Sequence, residues 1–133
     1  MRIIDTVVLM AFLDEEDSLF ERATTYIAEI SSMDDVFLPS ATLLELDLEL
    51  KAHSVSDNDR AGIHSRFGRL IPQTRVLPLT PGVLSRAAEL SRMATWRGAY
   101  FDTIIVATGL EYGADSAITT DRRFSKLGLP ITF

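Results

Sequence analysis

Apolar residues recur at intervals that change from one segment to the next, and the changes mark the elements. Arg2–Asp5, RIID, is short and apolar enough for a buried strand, and the apolar run Val7 to Leu13 predicts a helix directly after it. Asp17 is placed to cap a helix over Ser18–Ser31, where Leu19, Ala23, Ile27 and Ile30 return at steps of three and four. Val36–Leu38 reads as a second strand closed by Pro39. Ser40–His53 holds LLELDLEL, which alternates like a strand. Leu, Glu and Ala are strong helix formers, however, no β-branched residue follows Thr42, and the segment is long for a strand, so the expectation is helix.

Ser56 or Asp57 caps the next predicted helix, with Ile63, Phe67 and Leu70 on its inner face. Arg75–Leu79 is the third strand, and Thr80-Pro81 starts a helix to about Trp96. From about Asp102 to Tyr112 the chain is apolar nearly all round, as expected of a central buried helix. Ser116–Thr119 is a fourth strand, and Pro130–Phe133 adds a short last one. Short apolar strands separated by helical crossovers predict an α/β fold of three layers, α/β/α, around a mainly parallel sheet of four to five short strands. The expectation is one domain over residues 1–133, with no repeat, linker or low-complexity tract.

Composition narrows the chemistry. With no cysteine, thiolate metal sites and cysteine nucleophiles are excluded, and His53 and His64 are too few for a histidine-rich site. A metal held here needs oxygen ligands, which favours magnesium or manganese over zinc. A net charge of −6 argues against a protein that coats nucleic acid, but not against a nuclease whose metal ions offset its acids. The N-terminus resembles a signal peptide only until Asp5 and the acids after Leu13, and no run is long enough to span a bilayer, so a cytoplasmic protein without a membrane partner is expected.

Four acids stand where a parallel sheet collects its functional groups, beyond the carboxyl ends of the strands. Asp5 ends the first strand, Glu45 lies in the helix after the second, Asp102 opens the buried helix, and Asp121 follows the fourth strand. Each alone has a plainer reading. Asp5 and Asp121 sit where helix caps belong, Asp102 suits a helix dipole, and Glu45 belongs to a solvated face. Together they would repel, by about 4 kcal/mol for a pair 4 Å apart at an effective dielectric of 20, and a hard dication removes that conflict.

The pieces IIDTVVLMAFL, PSATLLEL, AYFDTIIVATGLEYGA and AITTDRRF, in this order and spacing, resemble the PIN domain family. In size and layout the chain looks like the VapC-type toxins of prokaryotic toxin–antitoxin pairs. The resemblance implies a metal-dependent endoribonuclease in which Asp5, Glu45, Asp102 and Asp121 hold one or two Mg²⁺ or Mn²⁺ ions. Thr6 and Thr119 would orient carboxylates or water behind them. It also implies an RNA substrate, a cognate antitoxin and a homodimer. Many relatives carry Asn two residues after the first Asp, where this chain has Val7.

Arg122 and Arg123 are candidate contacts for substrate phosphate, and also read as solvated turn residues. Asp47 and Glu49 are expected to face solvent, as are Arg66 and Arg69, which could alternatively line an RNA path. Trp96, Tyr100 and Phe101 are expected to pack, with base stacking as the other reading. The apolar N-terminal helix and the Leu-rich helix at 43–50 would offer a groove to an antitoxin's amphipathic segment. The rival to an enzyme is a catalytically inactive PIN-like module that binds RNA or protein. A receiver-type phosphoacceptor domain fits poorly, because Asp5 stands alone and the only lysines are Lys51 and Lys126.

Overall fold

The computed structural model describes all 133 residues. Five strands, β1 (Arg2–Ile4), β2 (Val36–Pro39), β3 (Val76–Leu77), β4 (Ser116–Ile118) and β5 (Ile131–Thr132), form one sheet in the order β3-β2-β1-β4-β5. Every pairing is parallel. Seven helices connect and cover them: α1 (Thr6–Leu13), α2 (Phe20–Glu29), α3 (Ser40–Ala52), α4 (Asp57–Leu70), α5 (Pro81–Leu90), α6 (Ala99–Glu111) and α7 (Arg123–Lys126). The three-layer parallel α/β fold expected from the sequence is the one observed.

Alternation along the strands sorts the core into two clusters. Ile3 and Ala117 share one cluster with Val83 and Ala87 of α5, Ile104, Ile105, Val106 and Ala107 of α6, and Phe124 of α7. Ile4, Ile118, Val36 and Leu38 share the other with Val8 and Leu9 of α1, Ile27 of α2, Leu46 of α3 and Phe67 of α4. Helix α6 runs so close to the sheet that a Cβ on Gly109 would lie 2.8 Å from Cδ1 of Ile3 and 2.9 Å from Cδ2 of Leu129. A side chain there would have to push both methyl groups aside in a packed core, so glycine suits the close approach of the helix that carries Asp102.

Four boundaries differ from the sequence reading. Asp17 does not cap α2 directly. Its carboxylate accepts the Leu19 N–H at 2.8 Å in a turn, and the helix begins at Phe20 and ends at Glu29. The third strand is two residues long because Arg75 lies in a 3₁₀ turn (Gln73–Arg75), its guanidinium donating to the carbonyls of Ile30, Met33 and Val36. Helix α5 stops at Leu90 rather than near Trp96, since Leu90 is its last buried apolar residue and Met93 is 54% exposed. Helix α6 begins at Ala99, three residues early, behind Gly98 in the left-handed region at φ +79°.

Candidate active site

The chain leaves β1 for β2 and β3 on one side, then returns to β4 on the other. The order therefore reverses between β1 and β4, and the crevice beyond their carboxyl ends is where such sheets bind ligands. Asp5 is the first residue past β1. Its own N–H donates to the Ile118 carbonyl at 3.2 Å, and Oδ1 accepts the Thr6 N–H at 2.7 Å as the cap of α1. Thr119, the first residue past β4, donates its hydroxyl to Oδ2 of Asp5 at 2.7 Å and accepts the Asp121 N–H at 3.1 Å. Cap and site readings of Asp5 thus coexist in one side chain.

Asp5 is only 5% exposed. Burial pushes its carboxyl from an ordinary 3.8 up to about 7, against the pull of the Thr119 and Thr6 bonds and with an added push from the charges of Glu45 and Asp102. No cation is bonded to it, and the cation that feels its charge is the Arg123 guanidinium, held on Asp121. Glu45 comes from α3, whose first turn is tied to β1 by Thr42 Oγ1 donating to the Ile4 carbonyl at 3.0 Å. Its carboxyl is also raised by burial, relieved by the neighbouring Thr6 hydroxyl and raised again by Asp102 and Glu49. Thr6 Oγ1 is itself buried without a hydrogen-bond partner of full geometry.

The opposite wall is built differently. Asp102 lies in the first turn of α6, half-buried, with Oδ2 accepting the Trp96 indole N–H at 2.9 Å. Burial raises its carboxyl, the indole bond and the Arg123 charge lower it, and the charge of Asp121 raises it. Asp121 is chelated by Arg123, with Nε at 2.9 Å from Oδ1 and Nη2 at 2.6 Å from Oδ2, so its carboxyl is held below the usual range. The same guanidinium lies over the Trp96 ring, 5.1 Å from its centroid. The Arg123 N–H also donates to Oδ1 of Asp121 at 3.0 Å, shaping the turn into α7.

All four predicted acids line one open cleft of about 340 Å³ together with Thr6, Val7, Met10 and Glu49. They share the cleft without three of them gathering around a single point. Their chemistry still suits a hard dication: every donor is oxygen, Asp5 and Glu45 are raised by burial and by neighbouring carboxylates with no cation bonded to either, and the buried Thr6 hydroxyl beside Glu45 makes no well-formed hydrogen bond. Val7, the noted departure from the resemblance, lends the cleft an apolar wall.

Several expectations need correction. Arg123 is committed to Asp121 rather than free in a solvated turn, whereas Arg122 is exposed and borders a separate depression with Thr119 and Thr120. Glu49, expected to face only solvent, is exposed but also lines the cleft, one helical turn beyond Glu45, a spacing visible in the sequence. Asp47 is not free in solvent either; Arg60 and His64 both bind it. Trp96 packs on the core as expected, but its bond to Asp102 depends on the path of a loop that no periodicity announces.

Fold and cleft together define a class: parallel α/β domains with an acidic site at the switch point of the sheet. Within that class the chain belongs to the PIN domain family, whose model matches residues 2–129. Its fold is similar to that of VapC20 of Mycobacterium tuberculosis, a sarcin–ricin loop cleaving toxin, with 21% identity, TM-score 0.75, and 97% of this chain and 96% of that one covered. It is also similar to FitAcB of Neisseria gonorrhoeae, with 24% identity, TM-score 0.73 and coverage of 100% and 97%. VapBC2 of Rickettsia felis, bound to a DNA fragment from its promoter, matches at 12% identity, TM-score 0.72 and coverage of 98% and 96%. A comparison with curated proteins finds no match.

Proposed function

We propose that this PIN domain is a metal-dependent endoribonuclease, with Asp5, Glu45, Asp102 and Asp121 holding one or two Mg²⁺ or Mn²⁺ ions. One observation carries the reading. Four carboxylates from four separate segments line one cleft at the switch point, and the most buried of them has no cation of its own. The chemistry such an ion supplies is activation of the attacking water and relief of charge at the phosphodiester. The rest falls to the chain. Asp5, fixed by Thr119 and the α1 N-terminus, gives a carboxylate that cannot swing away. Glu45 and Asp102 line the same cleft from α3 and α6, Thr6 offers a loosely held hydroxyl to water or ligand, and Arg122, exposed on the adjoining depression, is the candidate contact for a phosphate.

The test is cleavage of a mixed RNA pool in Mn²⁺ by wild type and Asp102→Asn, which keeps the shape and removes the charge. Loss of cleavage in the variant and in chelator is expected, and equal cleavage by both proteins would overturn the assignment. The alternative, an inactive module that binds RNA or protein, draws on Val7 in the cleft and on carboxylates that do not converge on one point. It predicts no cleavage by either protein and no stabilisation by Mn²⁺.

The likeness to VapC20, a toxin, and to VapBC2 supports a toxin role with a cognate antitoxin, and a cytoplasmic homodimer completes the proposal. No helix is long and apolar enough to cross a membrane. Leu44 and Leu48 leave an apolar ridge on α3, 51% and 48% exposed, suited to an amphipathic segment. Co-purification with the product of the neighbouring reading frame is expected, and a monomer that never acquires a partner would sink this part.

A further inference from the structure

Two of the four cleft carboxylates are already engaged, and by the same small assembly. The Trp96 indole N–H holds Asp102 at 2.9 Å, and the Arg123 guanidinium, lying over the Trp96 ring, chelates Asp121 through Nε and Nη2. Asp5 and Glu45, on the facing wall, have no such counter-ion. A bidentate guanidinium takes the inward-facing lone pair of each carboxylate oxygen, and the outer pairs left over suit binding through one oxygen only, so a cation that chelates Asp121 has to displace Arg123. Arg123 keeps few other attachments when the chelate opens. Its guanidinium makes no second ion pair, its side chain is 43% exposed, and its cation–π contact with Trp96 survives a modest rotation.

We propose that Arg123 is an exchangeable counter-ion of Asp121: it occupies the carboxylate until a divalent cation binds, and it is displaced along the face of Trp96 when one does. The idea rests on the metal-dependent reading above and adds to it that cation affinity is set from within the chain by a competitor. Arg123 thus acts through Asp121 and is a positioning residue. Trp96 is the only tryptophan in the chain, so its emission reports both the guanidinium on its face and the carboxylate on its N–H.

The experiment titrates Mg²⁺ into the full chain, following Trp96 fluorescence and, independently, binding heat. Mg²⁺ serves in place of Mn²⁺ because it does not quench by paramagnetism. Wild type is expected to change emission as the chelate opens. Arg123→Gln is expected to bind Mg²⁺ about five- to tenfold more tightly, the scale of losing one charge-assisted competitor, with Arg123→Lys in between. Arg122→Gln removes the same charge from an exposed neighbour that makes no bond to Asp121, so it is expected to change the affinity less than about twofold. In an Asp121→Asn background, Arg123→Gln should no longer matter.

Equal gains from Arg122→Gln and Arg123→Gln would reduce the effect to net charge and overturn the exchange. So would binding in wild type that leaves the emission of Trp96 unchanged. Binding by neither wild type nor variants would instead remove the metal-dependent reading, and the exchange with it. If Arg123→Gln does not fold, Arg123→Lys carries the same comparison.

Discussion

Paired acids at the periphery and three of the four acids in the cleft are treated in opposite ways, with Asp121, bound by Arg123, the one cleft acid that follows the peripheral pattern. Outside, Asp35 is bound by Arg2, Asp47 by Arg60 and His64, Glu111 by Arg86, and Asp115 by the N-terminal amine. Asp35 and Asp47 are consequently held below the usual carboxylate range. In the cleft Asp5, Glu45 and Asp102 are all pushed upward, first by burial. The chain has cations to spare, since Arg22 and Arg66 lie over the rings of Phe133 and Phe12 rather than on acids. An arrangement that concentrates unfavourable charge in one crevice while relieving it elsewhere marks a place organised for something other than stability.

The sharpest test sets Asp5→Asn against Asp35→Asn. If the cleft is built for an ion, Asp5→Asn lowers Mn²⁺-dependent RNA cleavage by about 10³-fold, the several kcal/mol that metal assistance supplies. The same variant should melt higher than wild type at pH 8 without metal, because an amide can replace a carboxylate whose charge is penalised. Lost activity coupled to gained stability is the signature sought, and a fall in both would mean that Asp5 serves the fold as a cap and nothing more.

Next in size is the response to pH without metal. A carboxyl at about 7 in the folded chain and near 3.8 unfolded makes the folded state bind more protons between those values. Stability contributed by protonation is therefore present at low pH and lost as pH rises through about 7. At about 1.4 kcal/mol for each tenfold in proton affinity, the full swing is on the order of 4 kcal/mol. Glu45 and Asp102 act in the same direction, whereas Asp35, Asp47 and Asp121, all lowered, matter only below the ordinary range. The melting temperature should rise from pH 8 to pH 5, and saturating Mn²⁺ should flatten or reverse that slope. A metal-free protein most stable at pH 8 would contradict the picture.

The sequence made this contrast only half visible. Strand–helix alternation and period-four apolar spacing located every layer, because burial of one face leaves a mark on each residue. Asp5, Glu45, Asp102 and Asp121 were legible because sheet topology alone brings such positions to one edge. The cations were not. Arg123 and Trp96 reach the acids through a turn and through the irregular stretch 91–98, where side-chain direction depends on a backbone path with no period. The early end of α5 belongs to the same stretch: propensity allowed a longer helix, and the lack of any fully buried residue between Leu90 and Ala99 decided against it.

Thr119→Val probes the contrast at a finer level. Thr119 is 1% exposed and its hydroxyl joins the walls, donating to Asp5 and accepting from the Asp121 N–H. Valine keeps the volume and removes both bonds, which raises the Asp5 carboxyl further and frees it to rotate. Support of this kind behind a ligand is commonly worth 10- to 100-fold, so Mn²⁺ affinity by calorimetry should weaken by about that factor. An unchanged affinity would place Asp5 outside the ligand set.

The smallest effect is expected where the ion pair is best formed. Arg2 grips Asp35 with bonds of 2.7 and 2.9 Å, and its own N–H donates to the Asp35 carbonyl at 2.8 Å, tying β1 to the turn before β2. Asp35 is 46% exposed, and water already solvates much of the pair, so Asp35→Asn should cost less than about 1 kcal/mol at pH 7. The backbone bond survives the substitution and keeps the strands in register. Because the folded carboxyl lies below its ordinary value, its contribution is present at neutral pH and lost as pH falls through the acid range. Melting curves of wild type and variant should therefore separate slightly at pH 7 and converge near pH 3. A loss at pH 7 as large as the swing expected from the cleft would mean that pairing at the periphery holds the sheet together, and the division between stabilising and functional acids would have to be redrawn.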